Sequence, residues 1–237
     1  MPDYTRMEKP VENPRAPHVA VTLVLDVSAS MTATTANGKT AIGLLNEGVN
    51  EMIAGLSNDR RLAEIVDLSI ITFGDPGRAE VYQDFAPVGQ VASVNLIANH
   101  GSTYASEAIN MAIENTKERM RKYRGGWWKP WIVFITDGAL HDNVSQVAAK
   151  AREREREGKL RTYCLGVGDA YNPSQLKEIS DRVYALQGYK LKEFLDWVGR
   201  SLAVVSNSAT GTDVPLESNE DPNAPGTAIF VPYVEVH

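Results

Sequence analysis

The chain has 237 residues, 43% of them hydrophobic and 23% charged, with a net charge of -6. That is enough apolar material for one sizeable core, and the acidic balance argues against a dedicated nucleic-acid binder, which is usually basic. The one cysteine, Cys164, excludes an internal disulfide and a cysteine zinc cluster.

Residues 1–16 are polar and proline-rich and are expected to form an extended arm. They lack the apolar core of a secretory signal, and no stretch approaches the roughly 18 apolar residues of a membrane span. The expected location is the cytoplasm. From Val19 to Leu25 runs a first buried strand, followed by a small-residue loop from Thr32 to Thr40. Ile42, Leu45, Val49, Met52, Ile53 and Leu56 recur at helical spacing, so Ala41–Leu56 is predicted as helix. Val66–Phe73 reads as a second strand, and Ala79–Phe85 as a third that follows closely enough to form a hairpin with it. Tyr104–Tyr123 carries a long helical pattern. Trp131–Ile135 is a strand ending in Thr136-Asp137-Gly138, and Asn143–Glu157 is a helix. Leu160–Val167 is strand, Pro173–Ile179 a short helix opened by proline, Val183–Leu186 strand and Leu191–Val205 helix. Strands that alternate with helices predict a doubly wound α/β sheet over residues 17–206. Residues 207–237 then read as a turn-rich linker and an alternating, strand-like tail that pairs with a sheet edge, its own or a partner's.

Three strand ends or adjacent loops carry matching chemistry. Asp26, Ser28 and Ser30 follow the first strand, where alternation keeps them on one side of an extended chain. Thr103 lies in the turn before the long helix, and Asp137 follows the fourth strand. In open α/β sheets, ligands bind outside the carboxyl ends of the strands. These are oxygen ligands, suited to a hard cation such as Mg2+ or Mn2+. Two carboxylates balance one divalent charge, and three hydroxyls ligate without adding more. The cation then stays electrophilic enough to accept a carboxylate from a partner.

The pattern D-x-S-x-S, a distant threonine and a distant T-D-G resembles the metal-ion-dependent adhesion site of von Willebrand factor type A domains. All five positions match: Asp26, Ser28, Ser30, Thr103 and Asp137. Ala29 departs from the usual glycine, and the Thr32–Lys39 loop is longer than typical. The resemblance implies a six-stranded, mostly parallel sheet with one antiparallel edge strand. It also implies Mg2+, or Mn2+ or Ca2+, held by Ser28, Ser30 and Thr103 directly. Asp26 and Asp137 would act directly or through water. Length, DVSASM, NEGVNEMI and PWIVFITDG look most like bacterial cytosolic TerY-like proteins of tellurium-resistance and stress gene clusters.

The expected function is therefore a non-catalytic module that binds a protein partner's Asp or Glu through the metal, with no nucleic acid and no membrane. One alternative is a Mg2+-dependent phosphatase or phosphotransferase. Such enzymes need a second carboxylate two residues after the first, where this chain has Ser28. The other is a scaffold whose interfaces are the tail and Trp127/Trp128. Those tryptophans are expected either as a partner patch or as cover for the sheet's far end. Cys164 is expected in the core. His100 and His141-Asp142 flank the metal loops. They are too few for a zinc site among so many hydroxyls, and are expected as rim residues that tune partner binding.

Overall fold

The computed structural model describes residues 8–35, 38–211, 215–221 and 226–233. The start of the arm, Ala36 and Asn37 of the long loop, and parts of the linker and tail lie outside the described residues.

The strands are β1 (Val19–Asp26), β2 (Val66–Phe73), β3 (Glu80–Pro87), β4 (Trp131–Gly138), β5 (Arg161–Ala170), β6 (Val183–Leu186) and β7 (Phe230–Pro232). They form one sheet in the order β3-β2-β1-β4-β5-β6-β7. The middle five are parallel; β3 and β7 are antiparallel to their neighbours. The helices are α1 (Ala41–Asn58), α2 (Arg60–Ile65), α3 (Ser106–Met120), α4 (Ser145–Arg156), α5 (Pro173–Ile179) and α6 (Leu191–Ser206).

Both faces of β1 are buried, which is why it reads as an unbroken apolar run. Val21, Leu23 and Leu25 join the core under α1, α2 and α6. Val24 joins the core under α3, α4 and α5. Gly48 lets α1 and α6 meet closely, because a Cβ there would stand 2.9 Å from Leu195 Cδ1 and 3.0 Å from Lys192 Cα.

The sheet has seven strands where the family pattern implies six, and antiparallel edges on both sides rather than one. The seventh comes from the tail, which adds Phe230 opposite Leu186 on this chain's own β6. Phe230 is buried among Tyr184, Phe194 and Trp197, with ring centroids 4.8–5.6 Å away. Helix α2 has no counterpart in the sequence reading. It is a six-residue helix capped by Asp59, which accepts from the N–H groups of Arg61 and Leu62. The long central helix starts at Ser106 instead of Tyr104, because the chain before it is held in another shape by bonds described below. Cys164 is fully buried, as expected, and burial pushes its thiol well up.

Candidate metal centre

Strand order reverses between β1 and β4, where the chain first builds outward to β3 and then returns to β4. Ligands of doubly wound sheets bind at such a switch point, beyond the carboxyl ends of the strands. Asp26 ends β1 and Asp137 lies near the end of β4, so both carboxylates flank it.

After Asp26 the chain does not continue extended. It turns through a 3-10 helix at Ala29–Thr32, with Met31 N–H on Ser28 O and Ala33 N–H on Ser30 O. Simple alternation therefore does not place Ser30. The turn folds it back instead, and its hydroxyl lies 2.9 Å from Ser28 Oγ and donates to Asp137 Oδ1 at 2.6 Å. Thr103 reaches the same spot. A Cβ added to Gly138 would stand 3.4 Å from Thr103 Oγ1 and 3.9 Å from Ser30 Oγ, so the missing side chain leaves room where the two hydroxyls converge. Ser30 is exposed, while Asp26, Ser28, Thr103 and Asp137 are buried.

Asp26 is held on both oxygens. Oδ1 accepts from Ser28 N–H at 2.8 Å and Oδ2 accepts from Thr136 Oγ1 at 2.6 Å. Burial pushes its carboxyl up to about 6, against the hydrogen bonds from Ser28 and Thr136. Burial likewise raises Asp137, against the bond from Ser30. No lysine or arginine pairs with either among the described residues. Two buried carboxylates and three hydroxyls without a counter-charge fit a hard divalent cation, which takes oxygen ligands. Among the described residues no cluster of three His, Cys, Asp or Glu side chains could hold a metal, so the hydroxyls are needed to complete any set.

The histidines are not loose rim residues. His141 Nδ1 accepts the Thr103 N–H at 2.9 Å, and its own N–H donates to Thr103 O at 2.9 Å. A backbone N–H can only donate, so the ring proton sits on Nε2. Asp142 then caps α3, its Oδ1 accepting from Ala105 N–H at 2.9 Å and its Oδ2 from Ser106 N–H at 2.8 Å. On the other side His100 Nδ1 accepts from Asp75 N–H at 3.0 Å, and Asp75 Oδ1 accepts from Gly101 N–H at 3.0 Å. Gly74 permits this approach, since a Cβ there would lie 2.4 Å from the His100 ring. Thr103 is thus clamped between the loop after β4 and the turn after β2. Thr136, Asp75 and this role of the two histidines were not legible as site features, although T-D-G and H-D were visible as motifs.

The two tryptophans separate. Trp128 is buried and its Nε1 donates to Ser208 O at 3.1 Å, while Trp127 is 36% exposed. Trp128 N–H bonds His18 O just before β1, which puts this loop at the opposite end of the sheet from Asp26. Among the described residues no helix is long and apolar enough to cross a membrane.

The fold has solved counterparts. Proximal thread matrix protein 1 from the mussel byssus matches with a TM-score of 0.56 and 13% identity over 78% of this chain and 48% of that one. Another structure of that protein, at 18% identity and a TM-score of 0.53 over 80% and 46% of the two chains, is described with a zinc-occupied metal-ion-dependent adhesion site motif. The pilus adhesin SpaC from Lactobacillus rhamnosus GG matches with a TM-score of 0.59 and 14% identity over 81% of this chain and 31% of that one. An aerotolerance-related membrane protein from Bacteroides fragilis, at 18% identity and a TM-score of 0.51, is covered over 98% of its length by 80% of this chain. This chain spans less than half the length of the mussel protein and of the adhesin. At such identities these likenesses carry the fold alone. Among curated proteins no sequence matches. The family model for the von Willebrand factor type A domain matches residues 20–195, from β1 into α6, and the chain belongs to that family.

Proposed function

We propose that this chain is a non-catalytic, metal-dependent protein-interaction module. Domains of its family commonly mediate metal-dependent protein interaction, and they bind a divalent metal at the adhesion site. The observation that carries the reading is the uncompensated pair, Asp26 and Asp137, with three hydroxyls gathered beside it. Ser28, Ser30 and Thr103 would hold Mg2+, or Mn2+ or Ca2+, directly, with Asp26 and Asp137 direct or through water. Asp26 favours the water-mediated form, because Ser28 N–H and Thr136 Oγ1 already occupy one site on each oxygen. The metal supplies a positive centre for an Asp or Glu of the partner. The resemblance to TerY-like proteins supports a place in a cytoplasmic, tellurium-resistance-type stress assembly.

The phosphatase alternative has little support. Among the described residues Asp137, which Ser30 holds, is the second acid beside Asp26, and Ser28 is no general acid.

The test couples stability to binding. A cation that binds only the folded state raises stability by about 2.7 kcal/mol at a hundredfold excess over its Kd. The melting temperature is expected to rise with Mg2+ in the parent chain and to stay flat in Asp137→Ala and Thr103→Ala. Proteins captured only in Mg2+ should be lost with both variants and kept with Trp127→Ala. Capture unchanged in folded Asp137→Ala and Thr103→Ala would place the interaction elsewhere.

A further inference from the structure

A metal accounts for one carboxylate of a partner and nothing else of it. Beside the metal loops runs a groove of about 430 Å3, between the turn joining β2 to β3 and the chain that climbs to Thr103. Val27 and His100 line its end nearest the candidate metal centre. Val27 follows Asp26, and its carbonyl accepts the His100 N–H at 3.3 Å. Tyr82 and Ile97 also line the groove, 41% and 66% exposed. They are two of the four large apolar side chains exposed among the described residues, set in a groove whose other lining is largely polar.

The climbing chain, residues 91–99, has no regular secondary structure, and α1 pairs with four of its main-chain groups as a neighbouring strand pairs with an extended chain. Asn50 on α1 pairs with both the N–H and C=O of Val94, at 2.7 and 2.9 Å. Asn46, one turn earlier, pairs with both groups of Leu96, at 2.7 and 2.9 Å. Residues two apart in an extended chain lie about 6.7 Å apart, close to the roughly 6 Å rise of four helical residues. Two amides on a helix therefore imitate a neighbouring strand. Main-chain groups of successive extended residues point to opposite sides, so those of Asn95 and Ile97 face away from α1. Tyr82 Oη accepts the Asn95 N–H at 3.0 Å. The Asn95 carbonyl and both main-chain groups of Ile97 make no hydrogen bond among the described residues. These unused main-chain groups lie beside two exposed apolar side chains, Tyr82 and Ile97.

We propose that the groove takes an extended peptide segment of a protein partner, added as a strand along Asn95–Ile97. Its Asp or Glu enters the metal centre at the Val27–His100 end, and an apolar side chain rests on Tyr82 and Ile97. An extended segment fits because it brings free main-chain donors and acceptors, which a helix has already spent on itself. Arg78 and Glu80 are both exposed in the groove, so its walls select no charge; the acidic preference comes from the metal. The proposal rests on the metal-dependent reading above and adds the form of the partner to it.

The experiment pans a phage-displayed random peptide library on the full chain in Mg2+, then titrates the enriched peptides. Enriched sequences should combine an Asp or Glu with an apolar residue, and EDTA should release them. Ile97→Lys, a change at an exposed position, should weaken them about tenfold or more, the scale of a central interface residue. It should leave the Mg2+-induced rise in melting temperature intact. Main-chain N-methylation of the peptide beside its apolar residue should weaken binding similarly. With that Mg2+ effect present, peptides that bind Ile97→Lys as tightly as the parent, or tolerate N-methylation throughout, overturn the groove alone. So does a library that yields no enrichment. A parent chain whose melting temperature ignores divalent cations overturns the metal reading and this proposal together.

Discussion

Carboxylates are buried at both ends of the central sheet, and the chain provides for them differently. Where β2 begins, Asp67 is fully buried and takes a two-pronged pair from Arg119, Nε at 3.1 Å and Nη2 at 2.9 Å. Arg119 is itself buried and goes on to Glu8 at 3.0 Å and the Lys9 carbonyl at 2.6 Å, which ties the arm to the sheet. His18 Nδ1 lies 3.4 Å from Asp67 Oδ2. Burial pushes the Asp67 carboxyl up, but the His18 contact, the Arg119 hydrogen bonds and the guanidinium charge outweigh it, and the net shift is downward. At the other end, among the described residues, Asp26 and Asp137 meet hydroxyls and N–H groups but no cationic side chain, and burial wins. Asp67 has its cation within the chain. Among the described residues Asp26 and Asp137 have none, and a buried charge left so is costly. The first arrangement completes a fold; the second is suited to a charge from outside.

The strongest way to break this comparison is to remove the internal cation. Arg119→Met leaves Asp67 buried and unpaired and should cost about 3–5 kcal/mol of stability in urea denaturation. Asp137→Ala, measured without divalent metal, should cost no more than about 1 kcal/mol, because it deletes a charge that no cationic side chain among the described residues compensates. Equal losses in the two variants would mean that both ends are structural, and the contrast would be gone.

The two ends were not equally legible in the sequence. The candidate centre's pieces lie in short local motifs, D-x-S-x-S and T-D-G, at the ends of apolar runs, so strand periodicity alone brings them to one edge. The Asp67–Arg119 pair joins residues 52 apart in sequence, one inside a strand and one in the last turn of α3. In sequence, Asp67 is a polar interruption of a strand and Arg119 a helix-end base, and no local pattern relates them. His141 has the same difficulty at shorter range. Its value lies in a bond to the main chain of Thr103, and main-chain partners leave no mark on side-chain patterns. Strand β7 was visible as alternation, but its choice of edge was not, because that depends on the aromatic socket that Tyr184, Phe194 and Trp197 build from three other places in the chain.

His141 sharpens the comparison from the metal side. If Asp26 and Asp137 await an outside cation, the hydroxyls around them must be held ready, and His141 is the clamp on Thr103. His141→Ala removes the acceptor for the Thr103 N–H and should lower Mg2+ affinity about tenfold, the lower end for groups that orient metal ligands. His141→Asn can present an oxygen at the same distance along the side chain and should recover most of that loss. Calorimetric titration with Mg2+ reads both. Equal affinity in Ala, Asn and parent chains would show that Thr103 needs no clamp. Equal loss in Ala and Asn would show that the ring's packing on Tyr104, at 6.0 Å between centroids, matters more than its acceptor.

The smallest expected effect is a pH dependence confined to the internally paired end. Asp67 faces His18 from the start of the sheet, Arg119 and Tyr123 from α3 and the turn after it, and, through Arg119, Glu8 of the arm. Its folded-state carboxyl is held below the ordinary value of 3.8. Between the folded and unfolded values, the unfolded chain binds the proton and the folded chain does not. Stability from this group is therefore fully present above the unfolded value and is lost as pH falls through the folded one. Urea midpoints of the parent chain and of Asp67→Asn, followed down the acid range in the absence of divalent metal, isolate it. Other carboxylates titrate in both proteins and cancel in the difference. The parent's advantage over Asp67→Asn should hold constant near neutrality and shrink once the pH drops below about 4. Parallel curves down to the acid limit would mean that Arg119 does not hold Asp67 in its charged form. The contrast with the uncompensated pair at the far end would then rest on geometry alone.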